Sequence, residues 1–265
     1  MRKIFAMLLS LLLIFSLTAC GQKENVQYYI TKRQLIHDTG DVNLTIYEYN
    51  DAWKVICTET LLNDNFASRV DYAYSEDGTV VTQNFTSATS APSSTEHHSV
   101  YDENGNILES SSYHDGQLTG VSRYTYDEKG REIKLEGFDP DGNLTTTITR
   151  SYDDRGNLLT ISTDYGPRVS RHEYTYNSKN QRLTTHTYIN DQLNSRVEYI
   201  WEDNSCFGTI YTPEGTPIAK TLSVQDKAGN LLVEESYDIL GTLQNRTYYE
   251  YTGPDGSISS GFPTE

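Results

Sequence analysis

One phrase constrains this chain more than anything else in it: Tyr-Asp-x-x-Gly-Asn followed by a hydrophobic residue, returning at a nearly fixed interval. Clean copies run Tyr101-Asp102-Glu103-Asn104-Gly105-Asn106-Ile107, Tyr126-Asp127-Glu128-Lys129-Gly130 and Tyr152-Asp153-Asp154-Arg155-Gly156-Asn157-Leu158. Looser copies follow at Tyr176, at Trp201 and at Gln225-Asp226-Lys227-Ala228-Gly229-Asn230-Leu231, with steps of 25, 26, 24, 25 and 24 residues. Tyr47 to Asp51 and Tyr74 to Gly78 extend the series backward. Midway between copies lies a second series, including Tyr113-His114-Asp115-Gly116, Phe138 to Leu144, Tyr188-Ile189-Asn190-Asp191 and Tyr237 to Gly241. A period of this size marks an array of supersecondary units that bury a common face only by stacking.

The chemistry of the phrase is that of a turn. An Asp side chain accepts backbone N–H groups at the start of a type I turn, and the Gly that follows supplies positive φ, which gives a hairpin with a bulge. Asp115-Gly116 and Asn190-Asp191 suit two-residue type I′ loops. Between turns the residues alternate with period two. Leu118, Gly120, Ser122, Tyr124 and Tyr126 share one face, and Thr119, Arg123 and Thr125 the other. The same apolar face continues through Leu144, Ile148 and Tyr152, through Leu193, Val197, Tyr199 and Trp201, and through Leu243, Thr247, Tyr249 and Tyr251. An antiparallel sheet wet on one side carries this signature. The expectation is an all-β fold: a repetitive antiparallel β-hairpin meander in a strongly twisted or coiled sheet that encloses its Tyr and Leu face. No segment of the mature chain sustains the apolar spacing of a helix. Residues 86 to 96, rich in Ser and Thr, are expected as an enlarged hairpin loop, because the repeat resumes in phase at Tyr101.

Composition fixes the solvent and the compartment. With 21 Tyr, 37 acidic residues and 21 basic ones, the net charge is −16, so no basic surface exists to hold nucleic acid. Residues 1 to 19 have the charged, apolar and small-residue layout of a secretory signal. Leu17-Thr18-Ala19-Cys20 resembles the bacterial lipobox, and that resemblance implies cleavage before Cys20 and its lipidation. The expected organisation is therefore a lipoprotein signal peptide (1–19), a lipid-anchored tether (20–25) and a single β-repeat domain (26–265). The acyl chains are expected to hold the body, without further help, on the extracytoplasmic face of a cell membrane. Cys57 and Cys206, 149 residues apart in a chain of local hairpins, are expected to be unpaired, half-buried thiols.

Tyr-Asp-x-x-Gly-Asn-Leu at 152 to 158 resembles the YD repeat of the RHS family, bacterial surface proteins whose repeats form a winding β-sheet. Tyr-His-Asp-Gly-Gln-Leu at 113 to 118 is similar to MORN-like repeats of exported bacterial proteins. The resemblance covers about residues 45 to 257 and implies an architecture, without an activity. Among candidate sites, Asp139-x-Asp141-Gly142-Asn143 lacks the distal Glu of a calcium loop and reads as a turn. His97 and His98 point to opposite faces, and His172 and His186, on adjacent strands, read as packing or solvated residues. No metal, cofactor or catalytic constellation is expected. Tyr28, Tyr29, Trp53 and Tyr248 are the candidate binding residues, since aromatic faces stack on sugar rings or on apolar groups of a partner. The expected function is a non-enzymatic binding or scaffolding module at the cell envelope with a protein or glycan ligand. The alternative is an immunity-like protein that neutralises an exported toxin through its acidic surface.

Overall fold

The computed structural model describes residues 28 to 263; the expected signal peptide, Cys20 and the expected tether lie outside the described residues. The chain forms β1 (Tyr29–His37), β2 (Val42–Tyr49), β3 (Val55–Leu62), β4 (Asn65–Tyr74), β5 (Val80–Ser87) and β6 (Ser93–Tyr101). It continues as β7 (Ile107–His114), β8 (Gln117–Tyr126), β9 (Glu132–Phe138), β10 (Leu144–Tyr152), β11 (Leu158–Asp164), β12 (Val169–Tyr176) and β13 (Arg182–Ile189). The last strands are β14 (Gln192–Glu202), β15 (Ser205–Tyr211), β16 (Pro217–Gln225), β17 (Leu231–Asp238), β18 (Leu243–Thr252) and β19 (Ile258–Ser260). No helix occurs among the described residues. Each strand pairs antiparallel with the next, as the turn spacing predicts. The loop after β5 is shorter than expected, because Ser93 to Glu96 already pair with Phe85 to Thr82.

The sheet does not remain a coiled ribbon. β1 pairs with β18 from Tyr29↔Thr252 to His37↔Asn245, while its other edge pairs with β2, so eighteen strands close into a barrel. β19 continues the line of β17 along the outer end of β18. Closure removes both open edges, the sites at which an open sheet would add further strands. An eighteen-stranded barrel is too wide for its own side chains to fill. Leu62, Leu108 and Leu183, all on the inner face, remain 43%, 43% and 39% exposed, so the lumen is accessible to solvent.

Bulges revise the expected faces. At the second series of turns the register shifts by one residue, as between Ser112 and Tyr113 and between Leu144 and Thr146. Leu118 therefore lies opposite Tyr113, and Leu144 opposite Phe138, on the outer face. Leu193 opposite Tyr188 and Leu243 opposite Tyr237 follow the same rule. A bulge sets two residues against one, so simple alternation counted through it assigns the wrong face.

The turns show why the phrase recurs. Asp153 Oδ1 accepts the backbone N–H groups of Arg155 and Asn157, its Oδ2 accepts the Asn157 side-chain amide, and Gly156 takes φ +90°. Asp102, Asp139 and Asp226 make the same set of bonds. The Asp139 carboxylate is thus engaged by its own turn. Asn63-Asp64, Asp115-Gly116 and Asn190-Asp191 all have positive φ at both positions, the type I′ geometry that matches strand twist.

Candidate functional site

The aromatic that opens most of the phrases closes the barrel wall at one rim; Tyr101 is the exception, exposed and 3.5 Å from the Gly78 carbonyl. Pairing between β7 and β8 ends at Glu109↔Arg123, which leaves the Ile107 carbonyl short of a partner on that side. The Tyr126 hydroxyl donates to it at 2.8 Å. Tyr49 to Ile30, Tyr74 to Val55, Tyr152 to Glu132, Tyr176 to Leu158 and the Trp201 indole to Arg182 repeat the bond at 2.7 to 2.9 Å. Burial raises the pKa of Tyr74, Tyr126 and Tyr152, so these phenols stay protonated and keep donating.

Two residues before each of these aromatics, another side chain points into the lumen. The pairs Tyr47/Tyr49, Tyr72/Tyr74, Tyr124/Tyr126, Tyr174/Tyr176, Tyr199/Trp201 and Tyr249/Tyr251 form an aromatic girdle on the inner face. Burial pushes Tyr251 up to about 12 and raises Tyr47, Tyr124 and Tyr174. The girdle has a charged insertion at β10, where Arg150 stands in the first aromatic position and forms an ion pair with Glu132. Burial raises the Glu132 carboxyl, and Arg150 pulls it back down. His97 and His172 also face inward, bonded to Ser112 and Thr187, with pKa values lowered by burial. His98 and His186 sit on the outer face, opposite Val80 and Glu173 respectively, so neither pair of histidines converges.

A hollow of about 740 Å³ opens at this rim between the turn at Asp102 and the turn at Asp127. Leu108, Tyr124 and Tyr126 make its apolar side, and Asn104, Asn106 and Lys129 its polar one. Its origin lies in the turns. Arg131 donates to the Asp153 carbonyl at 3.0 Å, and Arg155 to that of Asn177 at 3.2 Å, tying each turn to the next. In the turn at Asp102 the position of Arg131 is taken by Asn106, whose amide donates to Asp102.

The structure brings three of the four aromatic candidates to the same rim. Tyr29 stacks on Trp53 with ring centres 4.5 Å apart, and Tyr49 meets both. Tyr28 accepts a hydrogen bond from Ser257 at 3.3 Å. Tyr248 lies elsewhere, on the outer face between Arg246 and Phe262. The girdle itself was legible only as a pattern of aromatic-x-aromatic, and the hollow between turns had no sequence signal.

Outside, the wall is charged. Arg69–Asp71, Lys134–Glu136, Arg171–Glu173 and Arg196–Glu198 pair along single strands, and Arg123–Glu109 pairs across two. Arg123, Arg171 and Arg196 also cover the outward rings of Phe138, Tyr188 and Tyr211. Cys57 on this face and Cys206 inside are both buried free thiols. Burial raises both, Cys206 to about 11.

A family model described only as an uncharacterised protein matches residues 120–214. That stretch holds the phrases at Tyr126, Tyr152, Tyr176 and Trp201. No curated protein matches the chain. A porin-like protein from Bacteroides uniformis is similar over 85% of this chain and 97% of its own, at 11% identity and TM-score 0.49. A porin-like protein from Bacteroides vulgatus is similar over 85% and 99%, at 13% identity and TM-score 0.39. The Tc holotoxin pore of Photorhabdus luminescens is similar over 76% of this chain and 14% of its own, at 14% identity and TM-score 0.32.

Proposed function

We propose that this chain is a non-enzymatic, lipid-anchored binding protein of the RHS/YD type at the cell envelope, and that it holds a glycan or protein segment against the inner wall of its barrel. The aromatic girdle facing a solvent-accessible lumen carries this reading, with the hollow at Leu108, Tyr124 and Tyr126 as the first contact site. Flat apolar rings with a few fixed polar groups beside them are the chemistry of a ligand pocket. The charge on the outer wall supports a barrel that stands in water. Each Arg or Lys at the middle of a lipid-facing strand costs about 2–4 kcal/mol, and charged pairs occur on strands all around the outside. Membrane attachment then rests on Cys20. β1 begins at the girdle rim, and the eight-residue span from Cys20 to Tyr28 reaches at most about 28 Å, so an anchor there would hold the barrel by that end.

The test uses the full chain in its native host. Cys20→Ser should move the protein from the membrane to the soluble fraction. Retention of envelope material by the purified protein should fall about tenfold with Tyr124→Ala, while Tyr165→Ala, at an exposed site, leaves it unchanged. Membrane attachment that persists in Cys20→Ser, or retention indifferent to Tyr124, would overturn the reading.

A further inference from the structure

Nine strands end at the girdle rim with an inward position two residues before the last one. β6 keeps one aromatic there (Tyr101, behind Ser99), and β10 keeps Tyr152 behind Arg150. β16 brings neither, since Ser223 and Gln225 occupy both positions. At this break the inner wall contains a second hollow, of about 230 Å³. Thr221, Ser223, Glu234, Ser236, Asn245 and Thr247 line it with inward side chains. Glu234 accepts the Tyr249 hydroxyl at 2.7 Å through Oε2, and Asn245 donates to Ser236 at 3.3 Å. Thr247 stands at the back of the hollow at 6% exposure.

Aromatic walls flank the notch. On one side Tyr249 and Tyr251 lie nearly parallel, 6.4 Å between centres at 24°. On the other side stand Tyr199 and Trp201. Gly208 holds that side close: a Cβ there would come within 2.4 Å of Thr221 Oγ1 and 3.2 Å of the Tyr199 ring. From β14 to β18 is four strand spacings, about 19 Å, which exceeds one sugar ring.

We propose that this notch holds a neutral oligosaccharide, with ring faces on the two aromatic walls and hydroxyls on Glu234, Thr247, Thr221 and Ser223. The proposal rests on the lumen being the binding surface. The C–H faces of a pyranose suit aromatic rings, and the hydroxyl edges suit a carboxylate beside several small hydroxyls. Glu234 repels an anionic sugar at the same place.

The experiment titrates the full-length protein with cellotetraose, chitotetraose and maltotetraose, reading Trp201 fluorescence and heat of binding. Ser223→Tyr fills the notch with the aromatic that other repeats carry, and Thr247→Val removes one hydroxyl at constant shape. At least one tetrasaccharide should bind. Ser223→Tyr should weaken it at least about tenfold and Thr247→Val about three- to tenfold, while Tyr165→Ala, at an exposed site away from the notch, leaves it unchanged. Matching thermal unfolding curves verify that each variant is folded. No binding of any neutral oligosaccharide overturns the proposal, as does binding that survives both notch variants. If binding survives them but is lost with Tyr124→Ala, the notch falls and the lumen reading stands.

Discussion

A single hydroxyl settles what the repeated tyrosine does. Because Tyr152 donates to the Glu132 carbonyl at 2.8 Å, its ring is fixed as part of the wall, and Tyr152→Phe should cost about 1 kcal/mol in urea unfolding. Tyr165→Phe, where the ring is exposed, should cost nothing measurable. Gly156 carries φ +90° with open space around its Cβ position. Gly156→Ala therefore costs only backbone strain, about 1–2 kcal/mol by the same measurement. The two buried thiols follow from their surroundings. With Cys206 pushed up to about 11 and Cys57 raised by burial, neither should react with a thiol reagent at pH 8 until denaturant is added. Rapid labelling of the folded protein at Cys57 or Cys206 would refute that. That Cys57 faces out and Cys206 in could not be told from the residues alone, because each side depends on the bulges before it.

Many of the hairpins are held at one end by a carboxylate, as at Asp102, Asp127, Asp139, Asp153 and Asp226, and this makes the array sensitive to acid. Hydrogen bonds from the side-chain amide of the partner Asn lower the pKa of Asp102, Asp139 and Asp153, and those from Ser75 and Thr79 take Asp77 to about 2. A depressed folded pKa means stability that is complete above the unfolded value of about 3.9 and lost as pH falls through the folded one. The melting temperature should therefore hold steady down to about pH 4 and fall between about pH 4 and 2. Glu132 is shifted the opposite way, because burial raises it against the pull of Arg150. Asp127→Asn, Asp139→Asn and Asp153→Asn combined should flatten the acid limb; an unchanged limb would show that other carboxylates control it. Turn positions were readable from residues alone, since Asp and Gly act within six residues of each other. Register was not, because one extra residue in a bulge moved Leu118, Leu144, Leu193 and Leu243 to the outer face.

Over the whole molecule, one pairing differs from the rest. Every other ladder joins neighbours along the chain, whereas the β1–β18 seam brings Tyr29 to Thr252. Leu35 lies inside that seam, with β2 on its other side. Leu35→Pro removes a ladder donor where no edge exists to tolerate it. Amide exchange should then accelerate across β1 and β18 while β9 to β12 keep their protection; uniform loss of protection would mean that the array folds only as a closed unit. Local chemistry in the chain determined the turns, the antiparallel meander, the absence of helix among the described residues and the inward tyrosines, because each depends on residues a few positions apart. Closure, the accessible lumen, the charged outer wall and the two hollows were decided by the assembled barrel. Accumulated twist over eighteen strands, and side chains from repeats about 25 residues apart, set them, and no short stretch of sequence encodes either.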